Sequence, residues 1–195
     1  GGVYVSVGWR MLAGTSIPTA LPLAVGIYLC EGLEALGISD VSLKWPNDLV
    51  VNGAKLAGVL VECVDKGPGG RSLLIGMGLN LETPSEAADL PADRRAIGLA
   101  DISAVPAGGS LVAAAARAAL EAGSLEPSAV SALMAERWPA RDALTGRACT
   151  IEQANGETLH GVADGVTEGG ALRLDTADGL RILWSGECRV RGGWE

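Results

Sequence analysis

An Asn-Gly pair set between two apolar runs constrains the fold of this chain more than any other feature. Residues 49–51 (Leu-Val-Val) precede Asn52 and Gly53, and residues 56–61 (Leu-Ala-Gly-Val-Leu-Val) follow them. Both turn residues tolerate a positive φ, so the pattern predicts a β-hairpin with a tight turn. Pro46 cannot donate a ladder hydrogen bond, so a strand that enters this region is expected to break before the hairpin begins.

Polar and charged side chains cluster on this hairpin. The turn before it carries Asn47 and Asp48, and Lys44 and Lys55 lie on either side. The predicted hairpin therefore brings an acid, an amide and two ammonium groups close together. Each has an ordinary structural explanation when taken singly, because Asn-Asp after proline is common turn chemistry and a lysine beside a hairpin is usually a solvated charge.

Composition limits the classes of function. The 195 residues carry 15 basic and 23 acidic side chains, a net charge of −8, so we expect no nucleic acid contact by bulk attraction. The four cysteines lie far apart and one histidine is present, which argues against a zinc site or a disulfide framework and favours a cytoplasmic location. No apolar run reaches the ~18 residues of a membrane span, and no signal peptide is found. We expect small molecules or proteins as partners and no membrane contact.

Periodicity predicts a strand and a long helix in the first part of the chain. Residues 3–7 (Val-Tyr-Val-Ser-Val) alternate as a strand does. A helix is predicted to begin with Ser16 or Thr19 as its cap and to end at Gly37. Its apolar residues recur at helical spacing, so we expect it to pack on one face of the sheet.

Further strands are predicted on both sides of the hairpin. Residues 41–44 form a short strand that leads into it, and residues 72–79 are a continuous apolar run. Residues 58–64 are expected to be buried. Residues 66–71, rich in glycine, form a flexible turn.

The middle of the chain is predicted to be an irregular connection followed by two helices. The connection covers residues 81–107, and its residues 96–99 are expected to pack back on the core. The helices are predicted at residues 110–122 and 128–138, and Trp138 is assigned to the core.

The composition changes after Ala140, where short β segments separated by glycine-containing turns begin. These segments lie near residues 148–152, 158–166, 171–175, 181–184 and 187–190. Five short strands within about fifty residues predict a small SH3-like barrel. The expected domains are therefore residues 1–140 and residues 144–195.

Three motifs resemble the signature of one family. Lys-Trp-Pro-Asn-Asp-Leu at residues 44–49, with Lys-Leu-Ala-Gly-Val-Leu-Val-Glu at residues 55–62, is similar to the signature of the biotin protein ligases. Gly76, Gly78 and Asn80 form a Gly-Met-Gly-Leu-Asn segment that resembles the Gly-x-Gly-x-Asn of that family. The resemblance implies an α+β fold, a mixed sheet flanked by helices as in the class II synthetase-like biotin/lipoate ligases, followed by an SH3-like barrel.

The resemblance also implies an enzyme. Ligases of this kind use ATP to convert biotin to biotinyl-5'-AMP and then transfer biotin to a lysine of the biotin carboxyl carrier protein of acetyl-CoA carboxylase. Biotin and ATP would be bound, with Mg²⁺ held mainly by phosphate oxygens and water and not by a dedicated set of protein ligands. The carrier domain would be the protein partner. The oligomeric state stays open, with a homodimer among the options.

The resemblance assigns catalytic and nucleotide-binding roles. Lys55 would neutralise the attacking carboxylate and the phosphate oxygens, and Asp48 would hold the incoming lysine and help it lose a proton. Six residues are assigned to the nucleotide site: Lys44, Asn47, Gly76, Gly78, Asn80 and Arg191. Lys44 and Asn47 would orient the motif or touch phosphate, the two glycines would let the backbone approach the ligand, and Asn80 would contact the nucleotide. Arg191 would reach back towards the nucleotide, and a solvent-facing arginine on an edge strand is an equal alternative for it.

Biotin contacts are assigned to the strand after the hairpin. Besides Lys55, the backbone of Gly58, Val59 and Leu60 would contact biotin. Trp9 is assigned to the lining of the same pocket, and a plain core aromatic is an equal alternative for it.

One part of the family pattern is missing. The family places a Gly-Arg-Gly-Arg-Arg-Gly loop and a Ser-Thr-Asn type segment before the strand that matches residues 3–7, and neither is found in this chain. We expect the chain to correspond to the latter part of a ligase, with any DNA-binding domain lying upstream. A lipoate-type ligase and a non-catalytic module that binds biotinyl adenylate or the carrier domain remain as alternatives. A purely structural protein is the weakest option, because it leaves the clustered charges unexplained.

Overall fold

The computed structural model describes residues 1–11, 15–65, 71–85 and 95–194, without the side chain of Asp65. The first sheet consists of β1 (Gly2–Arg10), β2 (Ser42–Lys44), β3 (Asp48–Val51), β4 (Ala54–Asp65) and β5 (Arg71–Asn80). The second consists of β6 (Ala148–Glu152), β7 (Thr158–Val166), β8 (Leu172–Thr176), β9 (Gly179–Leu183) and β10 (Glu187–Val190). The helices are α1 (Leu21–Glu34), α2 (Gly108–Gly123) and α3 (Pro127–Glu136). Together these elements confirm the α+β fold class.

The predicted hairpin is the junction of β3 and β4 in the first sheet. Asn52 and Gly53 have φ values of 49° and 77°, as its tight turn requires. The strand order is β1-β5-β4-β3-β2, and the neighbours in this order pair antiparallel. Parallel pairing in the described residues is limited to isolated bridges, Leu43 with Asp142 and Lys55 with Ala96.

Helices cover one face of the first sheet, and α1 and α2 contact β4 and β1 respectively. The prediction that residues 58–64 are all buried is wrong for this reason. Val59 points towards the helices and is buried, whereas Leu60 points away from them and is 56% exposed. A continuous apolar run would be buried throughout only if both faces were covered.

The helix α1 starts later than predicted. Its N-cap is Ala20, which offers no side-chain cap, so the assignment of Ser16 or Thr19 to that role is wrong. The Thr19 hydroxyl instead donates to the carbonyl of Gly169 at 2.6 Å, a contact between distant parts of the chain. The helix ends at Glu34, three residues before the predicted end at Gly37.

Both later helices are confirmed within a few residues, and Trp138 and Leu99 are buried as predicted. The turn predicted at residues 66–71 lies, apart from Arg71, outside the described residues. None of the helices in the described part of the chain combines the length and the apolar character needed to cross a membrane.

The second sheet has the order β10-β6-β7-β8-β9 and is consistent with the predicted SH3-like barrel. It packs directly on the first part of the chain. The Trp45 indole donates to the carbonyl of Gly170 at 3.0 Å, and the Leu43 amide donates to the carbonyl of Arg141 at 2.7 Å. Buried residues of both sheets form one continuous core. The division into domains at residues 140–144 stays a prediction.

Candidate active site

The hairpin places a lysine against an aspartate. The ammonium of Lys55, on β4, lies 2.6 Å from a carboxylate oxygen of Asp48, and their side chains are 49% and 19% exposed. Asp48 is the first residue of β3 and not part of the preceding turn, which covers residues 45–47. It pairs with Lys44 on β2 and with Gly58 on β4. Lys55 is therefore paired with Asp48, and its half-exposed side chain is still accessible to a ligand.

Asn47 fastens the turn to the strand β4. Its side-chain amide donates to the carbonyl of Val59 at 2.8 Å, and its own carbonyl accepts the Val59 amide at 2.9 Å. These bonds occupy the peptide groups of Val59 and hold the turn next to Lys55. In the structure, Asn47 orients the motif.

A second set of bonds holds the backbone of Lys55. Its amide donates to the carbonyl of Arg95 at 2.7 Å, and its carbonyl accepts the amide of Ile97 at 2.9 Å. The Asn80 side chain donates to the carbonyls of Lys55 and Ile97, each at 3.3 Å. Lys55 is thus fixed at the backbone, while its side chain reaches into solvent-accessible space.

A shallow hollow lies on the face of the first sheet that the helices leave uncovered. We call it the sheet-face hollow, and its volume is about 350 Å³. Its floor contains three glycines, and its rim carries side chains from β1 and β4. These residues are Gly58, Gly76 and Gly78 on the floor and Tyr4, Ser6, Asn47, Lys55 and Leu60 around it. A Cβ on Gly78 would lie 3.3 Å from the Tyr4 ring, and one on Gly58 would lie 3.2 Å from the Lys55 ammonium.

A second hollow separates the hairpin from the barrel. This charged cleft has a volume of about 400 Å³. Three cations and two acids line it: Lys44, Lys55, Arg95, Asp48 and Glu187. The excess of positive charge suits an anionic ligand.

A buried thiol forms part of the barrel wall of the charged cleft. Cys188 lines the cleft and is 2% exposed. The hydrogen bond with the Cys149 thiol is the largest cause that raises the pKa of Cys188, and burial is the next largest. The thiol therefore stays protonated and adds no negative charge to the cleft.

The two hollows meet at the hairpin. Asn47 and Lys55 line both of them. The ammonium of Lys55 can therefore face a ligand in the sheet-face hollow and a ligand in the charged cleft at the same time.

Most of the residues proposed from the sequence lie around these hollows. The structure brings together Lys44, Asn47, Asp48, Lys55, Gly58, Val59, Leu60, Gly76 and Gly78. Asn80 is adjacent, but its amide holds the backbone of Lys55.

Two residues are placed elsewhere. Trp9 shares the helix-facing side of β1 with the other odd-numbered residues, and its ring occupies the space where a Cβ on Gly123 would be. This placement favours the core-aromatic alternative for Trp9. Arg191 is exposed after the end of β10, where its amide donates to the carbonyl of Ala148 at 2.8 Å, and it is not among the described residues that line the charged cleft.

Sequence reasoning missed several residues that line the two hollows, among them Tyr4, Ser6, Arg95 and Glu187. The first two could have been found, because the alternation of β1 places them opposite the core-facing valines. Arg95 lies in an irregular connection without periodicity, so no local signal marks it.

Two family models match the chain in order. The model of the Biotin/lipoate A/B protein ligase family matches residues 1–80, and the model of the Biotin protein ligase C terminal domain matches residues 144–191. The chain belongs to the biotin protein ligase family. The first match contains the whole of the first sheet, and the second match contains the whole of the second sheet.

Named relatives agree with this membership. The chain is 26% identical over 193 residues to the biotin--[acetyl-CoA-carboxylase] ligase of Mycobacterium tuberculosis, and the match covers 95% of the chain and 68% of that protein. It is 40% identical over 79 residues to the bifunctional ligase/repressor BirA of Escherichia coli, and that match covers 40% of the chain. The matched segment spans about a quarter, 25%, of the length of that repressor.

Solved structures of family members have the same fold. The biotin protein ligase from Aquifex aeolicus in complex with biotin and ATP superimposes with a TM-score of 0.78 at 25% identity. The superposition covers 98% of the chain and 78% of the Aquifex chain. A point mutant of the Aquifex ligase in complex with biotin gives a TM-score of 0.80 at 23% identity, with the same coverage of both chains, which supports the fold.

Proposed function

We propose that the chain carries out ATP-dependent ligation of biotin to a protein lysine, through biotinyl-5'-AMP. The observation that carries this proposal is the position of Lys55 at the meeting point of two hollows of different chemistry. One hollow has a floor of glycines, and the other carries an excess of cations. An acid and a nucleotide bound in them would meet at the lysine.

Biotin is assigned to the sheet-face hollow. The glycines let the bicyclic ring system of biotin lie close to the strands, and Leu60 and Tyr4 offer apolar surface at the rim. The carboxylate of the valeryl chain would point to Lys55, whose ammonium carries the opposite charge. The Aquifex relative binds biotin, which supports biotin as the ligand.

ATP is assigned to the charged cleft. Lys44, Lys55 and Arg95 would neutralise the phosphates, and the backbone next to Glu187 forms the opposite wall. Mg²⁺ would enter with the nucleotide, held mainly by phosphate oxygens, and the nearby carboxylates of Asp48 and Glu187 are of the oxygen type that this ion prefers.

The chemistry requires two displacements. The biotin carboxylate attacks the α-phosphorus of ATP, which forms the acyl–phosphate bond and expels pyrophosphate. The ε-amine of the acceptor lysine then attacks the acyl carbon, which forms the amide and expels AMP. Lys55 would offset the negative charge that gathers in the first step. Asp48 would receive the proton that the attacking amine loses in the second step.

The acceptor is assigned to the biotin carboxyl carrier domain of a carboxylase. The sheet-face hollow opens to solvent at Lys55, so a lysine presented by a folded partner has access to the acyl carbon. The reaction partners, ATP and a metabolic carboxylase, agree with the cytoplasmic location proposed from the cysteine usage.

Substitution of Lys55 tests the proposal. Lys55→Ala should lower biotin-dependent exchange between ATP and pyrophosphate about 10²-fold, because one transition-state donor is lost. Transfer of labelled biotin to a purified carrier domain, with MgATP, should fall in parallel. Arg117→Ala is the matched control, because it removes an exposed cation from α2, remote from both hollows.

The alternatives predict other outcomes. Preference for lipoate over biotin in a competition assay would favour the lipoate-type ligase. Binding of biotin and ATP without exchange, by the chain alone and after addition of a segment with the Gly-Arg-Gly-Arg-Arg-Gly loop, would favour the non-catalytic module. Exchange that Lys55→Ala leaves unchanged would contradict the assigned site.

A further inference from the structure

The turn of the β3–β4 hairpin is in contact with the far end of the chain. The indole ring of Trp194 lies against Gly53, so closely that a Cβ on Gly53 would overlap the ring. Only glycine fits under the ring without moving it. The contact joins residues that are far apart in sequence, so no local sequence pattern predicts it.

The other side of Trp194 is held by the barrel. The guanidinium of Arg147 lies 5.1 Å from the centre of the indole ring, within the range of a cation–π contact. The amide of Arg191 donates to the carbonyl of Ala148 at 2.8 Å, which fixes the course of the chain shortly before Trp194. The ring therefore fills the space between the hairpin turn and the start of β6.

This contact bears on the width of the charged cleft. One wall of the cleft is the hairpin, with Gly53 and Lys55, and the opposite wall is the barrel segment at residues 186–188. Lys55 follows Gly53 by two residues. Movement of the turn relative to the barrel would therefore move the ammonium of Lys55 relative to the opposite wall.

We propose that Trp194 is a positioning residue that holds the β3–β4 hairpin on the barrel and so sets the spacing of the nucleotide-binding cleft. That the cleft binds a nucleotide rests on the proposed function. That Trp194 holds the hairpin on the barrel rests on the contacts alone. The described residues that line the sheet-face hollow all belong to the first sheet and to the turn between β2 and β3, so none of its walls is on the barrel and a movement of the hairpin reaches it chiefly through Lys55.

The shape of the ring is what this role needs. The indole nitrogen of Trp194 is buried, and the described part of the chain offers it no hydrogen-bond partner. A phenyl ring would keep most of the contact with Gly53 and with Arg147, without a buried donor to satisfy. Trp194→Phe should therefore behave like the native chain, whereas Trp194→Ala should not.

The experiment combines binding with hydrogen exchange. Trp194→Ala should raise the Kd for ATP about 10- to 100-fold, the cost of a small misplacement of a binding group, and should raise the Kd for biotin less, because only the charged cleft has its opposite wall on the barrel. Amides of residues 50–56 should exchange faster in the same variant, and Trp194→Phe should restore both properties. Trp184→Ala is the matched control, because it removes an indole that is 61% exposed on the barrel and outside the charged cleft.

The outcomes separate this inference from the proposed function. Unchanged exchange at residues 50–56 in Trp194→Ala would overturn it, whatever the native chain binds. Faster exchange with an unchanged Kd for ATP would overturn the positioning role. A native chain that binds neither ATP nor biotin would contradict the proposed function and, with it, the claim that the cleft binds ATP. The hydrogen-exchange data would still decide whether the Trp194 ring holds the hairpin.

A double-mutant cycle guards against a general loss of folding. Gly53→Ala places a methyl group where the ring lies, so it should mimic Trp194→Ala in its effect on the Kd for ATP. In the Trp194→Ala background the same change should have a smaller effect on the Kd for ATP, because the overlapping ring is gone and only the strain of the positive φ of Gly53 remains. Additive effects would contradict the contact.

Discussion

At the scale of residues, the candidate site depends on how closely side chains approach three glycines. Gly58 and Gly76 both lie on the floor of the sheet-face hollow, but their surroundings differ. A Cβ on Gly58 would lie 3.2 Å from the Lys55 ammonium and 3.5 Å from a carboxylate oxygen of Asp48. A Cβ on Gly76 would meet no described atom closer than 3.9 Å. The two positions therefore form a matched pair for mutation.

Gly58→Ala should weaken biotin binding about 10-fold, because the new methyl group pushes Lys55 from its place beside Asp48. Gly76→Ala, with more room, should weaken it much less. Titration of each variant with biotin measures both effects. Equal losses at the two positions would show that depth of the hollow, and not the position of Lys55, controls binding.

At the scale of elements, the end of α1 is tied to the connection that leads into the barrel. The guanidinium of Arg141 donates to both carboxylate oxygens of Glu34, each at 2.8 Å. These hydrogen bonds lower the pKa of Glu34. The Arg141 carbonyl also accepts the amide of Leu43 on β2, so one residue joins α1 and the first sheet to the connection that leads into the barrel.

Glu34→Gln should lower the free energy of unfolding by about 1 kcal/mol at neutral pH, the upper range for an exposed pair. Because the pKa of Glu34 is lowered by folding, its ionised form contributes stability above the ordinary pKa of glutamate. That contribution is lost as the pH falls through the lowered value. Denaturant titrations at neutral and acid pH check this dependence.

Glu31→Gln is the control for that measurement. Glu31 pairs with Arg137 at 3.1 Å, but the Arg137 side chain is more exposed than that of Arg141. The loss of stability should therefore be smaller. A difference between native chain and Glu34→Gln that persists at the lowest pH would contradict the electrostatic explanation.

The elements also show what could be predicted from the sequence and what could not. The hairpin, both later helices and the barrel strands follow from local patterns, since turn residues and periodicity act over a few positions. The start of α1 does not follow, because Thr19 uses its hydroxyl on Gly169, 150 residues away, and not on the helix. Arg95 and Trp194 reach the site through tertiary contacts that no short-range pattern contains.

At the scale of the whole molecule, the barrel and the first sheet share one core. The loop between β7 and β8 is one point of attachment. Gly170 accepts the indole N–H of Trp45, and a Cβ on Gly170 would lie 2.7 Å from the Cβ of Ala20. The motif residue Trp45 is 2% exposed and lies between the two sheets. We therefore expect the two parts to unfold together.

Gly170→Ala should lower the free energy of unfolding by about 2 kcal/mol or more, through the clash with Ala20 and a strained positive φ. Gly156→Ala separates these causes, because Gly156 has the same φ of +84° but no described atoms within 4 Å of a Cβ. Calorimetry and exchange of amides in both sheets measure the transitions. Separate transitions for the two sheets in the native chain would contradict the shared core.

The glycine floor of the sheet-face hollow also limits how the specificity of this site can evolve. Glycine is the smallest residue, so every substitution at Gly58, Gly76 or Gly78 makes the hollow shallower and none makes it deeper. Selection for a bulkier acid must therefore act on the rim, where Tyr4 and Leu60 can be shortened. Narrowing the range of acids, in contrast, is open to substitutions at the floor as well as at the rim, so more single substitutions in this hollow lead to stricter selectivity than to broader selectivity.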